Sequence, residues 1–210
     1  MPFVLYHWIN ALAMLFLTLS GLYIHYPVFP GFMGTARGVH FFWMFTLIIN
    51  LIVRIVLAFF VKSAVMPSTR EQDIDYKNWL PQEANRHQFI AWIKYYTFFK
   101  KEHPISAKYA GPQKMSYLIT VPLTFFAAYT GFALWGPTSD WAFFAAGTRF
   151  FADLFGAGIG GGNLMGIRIV HYWTMWAILL FTAVHAYLAN IYNFDPSRMI
   201  FLWKENDKGH

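Results

Sequence analysis

The chain has no cysteine among its 210 residues. That absence excludes thiolate-held iron–sulfur clusters, cysteine-ligated zinc, disulfides and covalent CxxCH haem attachment. Charge is scarce as well: only 12% of the residues are charged, where soluble domains carry roughly 25%. There is no internal repeat, no low-complexity segment and no stretch that reads as a soluble domain. No basic segment precedes the first apolar run, so that run is read as a membrane span and not as a removable signal peptide. The net charge of +6 does not point to nucleic acid, because the basic residues gather in the connections beside apolar runs.

What is present is a membrane composition. Hydrophobic residues make up 57% and aromatic residues 21%, with nine Trp and twelve Tyr suited to belts at two bilayer interfaces. Four apolar runs, at about 3–26, 38–61, 115–135 and 164–192, are each long enough to cross a bilayer. Pro27, Pro30 and Gly31 break the chain after the first run. Pro137 ends the third, which carries Pro122 and a face of small residues at Thr124, Ala127, Ala128 and Gly131. The expectation is a single all-α membrane domain over 1–210, a four-helix bundle in contact with lipid. Short amphipathic surface helices are expected at Gln88–Lys101 and Asp140–Phe155, and Asn163 is placed to cap the fourth span.

The polar connection, 62–114, holds nine of the sixteen Lys and Arg residues, and the tail after Tyr192 holds three more. Four spans put both termini on that same side. The positive-inside bias therefore predicts N-in, C-in topology with 62–114 in the cytoplasm, the membrane being a bacterial or archaeal cytoplasmic membrane.

Ionisable groups inside spans usually mark function. His171 and His185 lie fourteen residues apart in the fourth run, on one helical face and about 21 Å apart along the axis. His40 and Arg54 repeat that spacing in the second run, and His7 opens the first. The topology sorts the histidines into two layers, His7 with His185 near the cytoplasmic side and His40 with His171 near the other. Two imidazoles from different helices at one depth can hold a haem iron axially, an arrangement that suits electron transfer because no iron position is left open. Arg37 and Arg168 each stand one turn before an outer-layer histidine, and Arg54 lies at the inner layer, where guanidinium groups suit haem propionates. An isolated histidine near a span end is ordinarily an interfacial residue. Four that match in pairs, with three arginines at the same depths, predict two b-type haems, the four histidines being the metal ligands. His25 shares the face of His7 and is a further candidate at the outer haem. His103 is a candidate for a proton path or a simple turn residue.

These residues carry a resemblance. The stretches YHWINALAMLFLTLSGLYI, RxxH at Arg37–His40, KYAGPQK at Lys108–Lys114 and RIVHYW…HAYLA resemble the four-helix dihaem cytochrome b subunits of nickel–iron hydrogenases, formate dehydrogenases and thiosulfate reductases, which are cytochrome b561-like. The resemblance implies an electron-transfer subunit of a respiratory oxidoreductase complex. Its partners would be an extracytoplasmic iron–sulfur subunit and a catalytic subunit, and its substrate a quinone, menaquinone or ubiquinone, reduced or oxidised at the cytoplasmic face. It further implies that the Lys108–Lys114 turn borders the quinone. There Gly111 permits close backbone approach, Tyr109 and Gln113 can donate hydrogen bonds, and Lys108 can stabilise an anionic reduced form. The chain departs from the family pattern at Ala110, where Asn is usual, and at Val4, where Arg often precedes the first histidine. Two other readings stand beside this one: a self-sufficient cytochrome b561-like carrier, and a transporter or structural anchor without haem.

Overall fold

The computed structural model describes residues 2–64, 72–74, 76–77, 89–101, 111–156, 163–190 and 201. The architecture is all-α and membrane-spanning, as expected. Three helices have the length and composition to cross a bilayer, at Val4–His25, Met33–Phe60 and Met165–Tyr187, and a shorter apolar helix covers Ile119–Leu134. The chain divides into two compact units, Met1–Leu118 and Ile119–His210.

In the first unit, α1 (Pro2–His25) and α2 (Met33–Phe60) form an antiparallel hairpin. Gly31, at φ +80°, takes the left-handed conformation that reverses the chain. The Tyr23 hydroxyl donates to the Phe29 carbonyl and its ring meets Phe32 edge-on, which fastens the turn. Ala13, Ala36 and Ala58 are almost fully buried, and such small side chains allow close packing of membrane helices. Outward-facing Leu5, Leu12, Leu15 and Leu19 are 41–57% exposed. An outer face that is as apolar as the seam belongs in hydrocarbon.

Three contacts fix the register of this hairpin. Asn10 meets Asn50, Phe16 stacks on Trp43 at 4.8 Å, and Ser20 meets His40. Each step along α1 is thus matched by one step back along α2.

Several boundaries differ from the sequence expectation. The second helix begins at Met33, five residues before the apolar run at 38, with the Ala36 amide bonded to the Phe32 carbonyl. Hydropathy marks where the chain becomes continuously apolar, whereas the backbone ladder starts directly after the Pro30–Gly31 break. The polar connection 62–114, for which only a surface helix was expected, also contains an antiparallel pair, β1 (Lys62–Ala64) and β2 (Gln72–Ile74), with Ser63 opposite Asp73. The expected surface helix is shorter than Gln88–Lys101: α3 covers Phe89–Tyr96. Phe98, at φ 65°, ends it in a left-handed cap, with the Phe99 amide on the Lys94 carbonyl and the Phe98 amide on that of Tyr95. Helix α4 (Gly111–Leu134) starts inside the supposed loop, with Pro112 in a first turn where its missing N–H costs no helical bond.

The second unit contains α4 from Ile119 onward, a single turn α5 (Gly136–Ser139), α6 (Ala142–Phe151), a π-turn at Ala152–Gly156 and α7 (Met165–Asn190). Thr138 closes the α4–α5 corner by donating to the Phe132 carbonyl at 2.6 Å. The Tyr129 hydroxyl donates to the Phe143 carbonyl at 2.9 Å and lies against Gly147, where any Cβ would overlap the phenol. A Cβ on Gly166 would likewise overlap the Phe151 carbonyl, so glycine lets α7 start close against the end of α6. Asn163 is not the cap of α7. The Arg168 amide bonds to the Leu164 carbonyl at 3.1 Å, which puts Leu164 at that position.

Candidate functional site

His40 is half-buried in the α1–α2 seam, one turn after Arg37, which is exposed. Its Nδ1 lies 3.0 Å from Ser20 Oγ, and the Leu17 carbonyl is a further acceptor for the ring. Ser20 is only 6% exposed. Its hydroxyl donates to the Phe16 carbonyl at 2.6 Å, with Leu17 O at 3.3 Å.

The second unit repeats the arrangement. His171 in α7 is half-buried, one turn after exposed Arg168. Its Nδ1 lies 2.8 Å from Thr130 Oγ1 of α4. Thr130 is completely buried and donates to the Phe126 carbonyl at 2.9 Å, with Ala127 O at 3.1 Å.

Toward the other end of the first unit, a buried amide network clamps the two helices. Asn50 Nδ2 donates to Asn10 Oδ1 at 2.6 Å and to the Tyr6 carbonyl at 3.2 Å. One turn further on, the register sets His7, three residues before Asn10, level with Arg54, four residues after Asn50. His7 is exposed and meets Trp8 edge-on, and Arg54 is half-buried. His185 is exposed and stacks on Phe181 at 6.0 Å.

The axial spacing of the histidines can be taken in each unit independently. Ser20 marks the level of His40, and His7 is thirteen residues back along α1, about 20 Å at the helical rise. In α7 the fourteen residues from His171 to His185 give about 21 Å. Both units therefore present two imidazoles at the same separation.

Sequence reasoning missed Ser20, Thr130, Asn10 and Asn50. Along α1 the seam runs through buried Ala13 and Ser20, while Ala11, Met14, Thr18 and Gly21, which continue the helical face of His7, are only half-buried. The available signal was polarity, since uncharged polar side chains in a span commonly bond across helices. Of the residues expected at a quinone, Lys108 and Tyr109 lie outside the described residues, while Gly111 and Gln113 fall in the first turn of α4. His25 ends α1, exposed, with its ring edge-on to Tyr26 at 4.4 Å. His103 is outside the described residues.

Known proteins share this sequence pattern. The family profile described as prokaryotic cytochrome b561 matches residues 1–201. A probable Ni/Fe-hydrogenase B-type cytochrome subunit from Rhizobium leguminosarum bv. viciae is 31% identical over 206 residues, covering 90% of this chain and 77% of the relative.

Proposed function

Since this chain belongs to the prokaryotic cytochrome b561 family, we propose that it is the dihaem membrane subunit of a hydrogenase-type respiratory complex, joining a catalytic partner to the quinone pool. It is a b-type cytochrome of the membrane. The ligands we assign are His40 and His171 for an outer haem, and His7 and His185 for an inner one. Arg37 and Arg168 serve the outer propionates and Arg54 the inner. The four spans then form one membrane domain over 1–210, with both termini and 62–114 on the cytoplasmic side of the cytoplasmic membrane.

The residues suit the cofactor. Imidazole is a neutral nitrogen donor, and a hydroxyl engages His40 and His171 each on the Nδ1 edge, so that the Nε2 edge is the one suited to iron. Haem b, when bound, supplies a one-electron couple between ferrous and ferric iron. His40 with His171 and His7 with His185 would each hold one haem iron, which would leave it no open position for oxygen or other small ligands and suit it to electron transfer. The apolar spans exclude water, and the arginines neutralise carboxylates that would otherwise be costly at that depth.

One observation carries this reading: the axial spacing of the two histidines is the same in the two units, about 20 Å and about 21 Å, as two stacked axial pairs require. The relative's name supports a hydrogenase as the catalytic partner. We further assign an iron–sulfur subunit on the extracytoplasmic side as the immediate electron donor or acceptor. On the cytoplasmic side, Lys108, Tyr109, Gly111 and Gln113 border the site for menaquinone or ubiquinone. The test is a pyridine haemochrome assay on the purified chain. Two haems are expected per polypeptide, falling to one in His40→Ala and in His171→Ala, with the same haem lost from both. One haem in the unmodified protein, or different haems lost from the two variants, refutes the pairing. No haem at all would favour a transporter or anchor.

A further inference from the structure

The two outer-layer histidines share a feature that bis-histidine ligation does not itself require. Each places Nδ1 on a shielded hydroxyl of a neighbouring helix, Ser20 for His40 and Thr130 for His171. A hydroxyl has one proton and two lone pairs. Ser20 directs its proton to the Phe16 carbonyl and Thr130 directs its own to that of Phe126. Each hydroxyl therefore meets the ring nitrogen as an acceptor, and Nδ1 is the nitrogen that bears the proton. The lone pair is then on Nε2 in both rings.

We propose that Ser20 and Thr130 are positioning residues for the outer haem: each locks its histidine in the Nδ1–H tautomer, holds the ring plane, and lowers the midpoint potential by accepting the ring proton's hydrogen bond. The inference rests on the assignment of His40 and His171 as axial ligands. The physical link runs through the ring. An acceptor at Nδ1–H pushes electron density toward Nε2 and makes it a stronger donor to iron, which favours the ferric state. With both hydroxyls acting on one iron, the two effects have the same sign. Neither hydroxyl needs the histidine for its own satisfaction, because the carbonyl one turn back already accepts its proton. The same geometry arises on two unrelated helix pairs, α1–α2 and α4–α7.

The experiment uses the assembled complex in membranes, with Ser20→Ala, Thr130→Val and the double variant. Potentiometric titration is read optically, and low-temperature EPR is recorded on the ferric haems. The outer haem's potential should rise. At a fixed ambient potential its oxidised-to-reduced ratio should fall about threefold per hydroxyl, reflecting roughly half the net worth of a neutral hydrogen bond. The double variant should fall about tenfold, equivalent to about 59 mV for one electron. The outer ferric g-values should shift while the inner haem's potential and signal stay in place, and Ser20→Thr and Thr130→Ser should restore the original values. Loss of the outer haem alone would also support the positioning role. An unmoved outer potential and EPR signal in the double variant overturns the proposal, and so does loss of both haems, which would make the hydroxyls packing residues. His40→Ala and His171→Ala in the same series separate the two levels. If those variants keep the outer haem, the ligand assignment has failed and not merely the role of the hydroxyls.

Discussion

Replacing Asn50 by leucine tests whether the amide clamp holds the α1–α2 hairpin together. Asn50 is 6% exposed, and its side-chain nitrogen makes two bonds to α1. Interhelical hydrogen bonds in membranes average about 0.6 kcal/mol each, with a maximum near 1.7, so the pair contributes about 1.2 kcal/mol. The Tyr6 carbonyl keeps its helical partner when Asn50 is lost. Asn10 Oδ1 does not keep its bond from Asn50, and an orphaned buried acceptor costs about 1–3 kcal/mol. Asn50→Leu should therefore destabilise the protein by about 2 kcal/mol after the gain from burying an apolar side chain, and Asn10→Leu by a similar amount. The double variant removes both amides and leaves an apolar seam. It should be more stable than either single variant, which corresponds to a coupling energy of about 2–3 kcal/mol, the upper part of the range for residues in contact. The assay is unfolding in mixed micelles of increasing SDS fraction, followed by haem absorbance and far-ultraviolet circular dichroism. About 1.4 kcal/mol is tenfold in the unfolding constant, well within its resolution. Additivity of the two single effects to within about 0.5 kcal/mol would refute the clamp. Because the clamp is one turn from His7 and Arg54, the single variants should also release the inner haem faster than the outer one.

Three further outcomes follow from the same residues. A reporter fused after His210 should be active only as a cytoplasmic enzyme, since the proposed topology puts twelve of the sixteen basic residues on that side; activity only outside the cytoplasm would reverse the topology and exchange the two layers. Tyr109→Phe with Gln113→Ala should slow quinone-coupled turnover while both haems stay bound and reducible by the partner, and unchanged turnover would move the quinone site elsewhere, the outer face near His25 being the next place to test. Gly166→Ala should lower the melting temperature of the solubilised protein through an overpacking cost of about 1–3 kcal/mol, because its Cβ meets the Phe151 backbone, whereas Gly136→Ala, which meets nothing within 4 Å, should leave it within a degree or two of the original; equal effects would refute the close approach.

The spans were legible because hydropathy over some twenty residues is a strong signal, and three of the four runs match their helices closely at the membrane core. What failed were features set by backbone hydrogen bonds. The early start of α2 at Met33, the pairing of β1 with β2, and the stop of α3 at Phe98 leave no mark in a hydropathy profile. A phenylalanine at a left-handed cap is a choice that local propensity argues against. The candidate ligands were legible for a different reason. A spacing of fourteen is a property of one helix, so His40 with Arg54 and His171 with His185 are readable without any neighbour.

Ser20 and Thr130 could not be read in that way. Each lies on a different helix from its histidine, twenty residues away in one case and forty-one in the other, and in the first unit the contact exists only in one register of the antiparallel helices. A shift of one residue would turn the Ser20 hydroxyl by about 100° away from the ring. Such a register is not set by leucines, which lipid and helix seam accept alike, but by the few groups that hydrocarbon cannot satisfy. In the first unit these are Asn10, Asn50, Ser20 and His40. The amide pair and the hydroxyl–imidazole pair lie ten residues apart on both helices, about 15 Å, and either pair alone would tolerate small rotations. Together they permit one alignment, and that alignment sets His7 level with Arg54 at one end and His40 against Ser20 at the other. The polar residues that define the two candidate haem levels are thus also the residues that hold the hairpin in register, so variation at Asn10 or Asn50 should be felt at a haem neither of them touches.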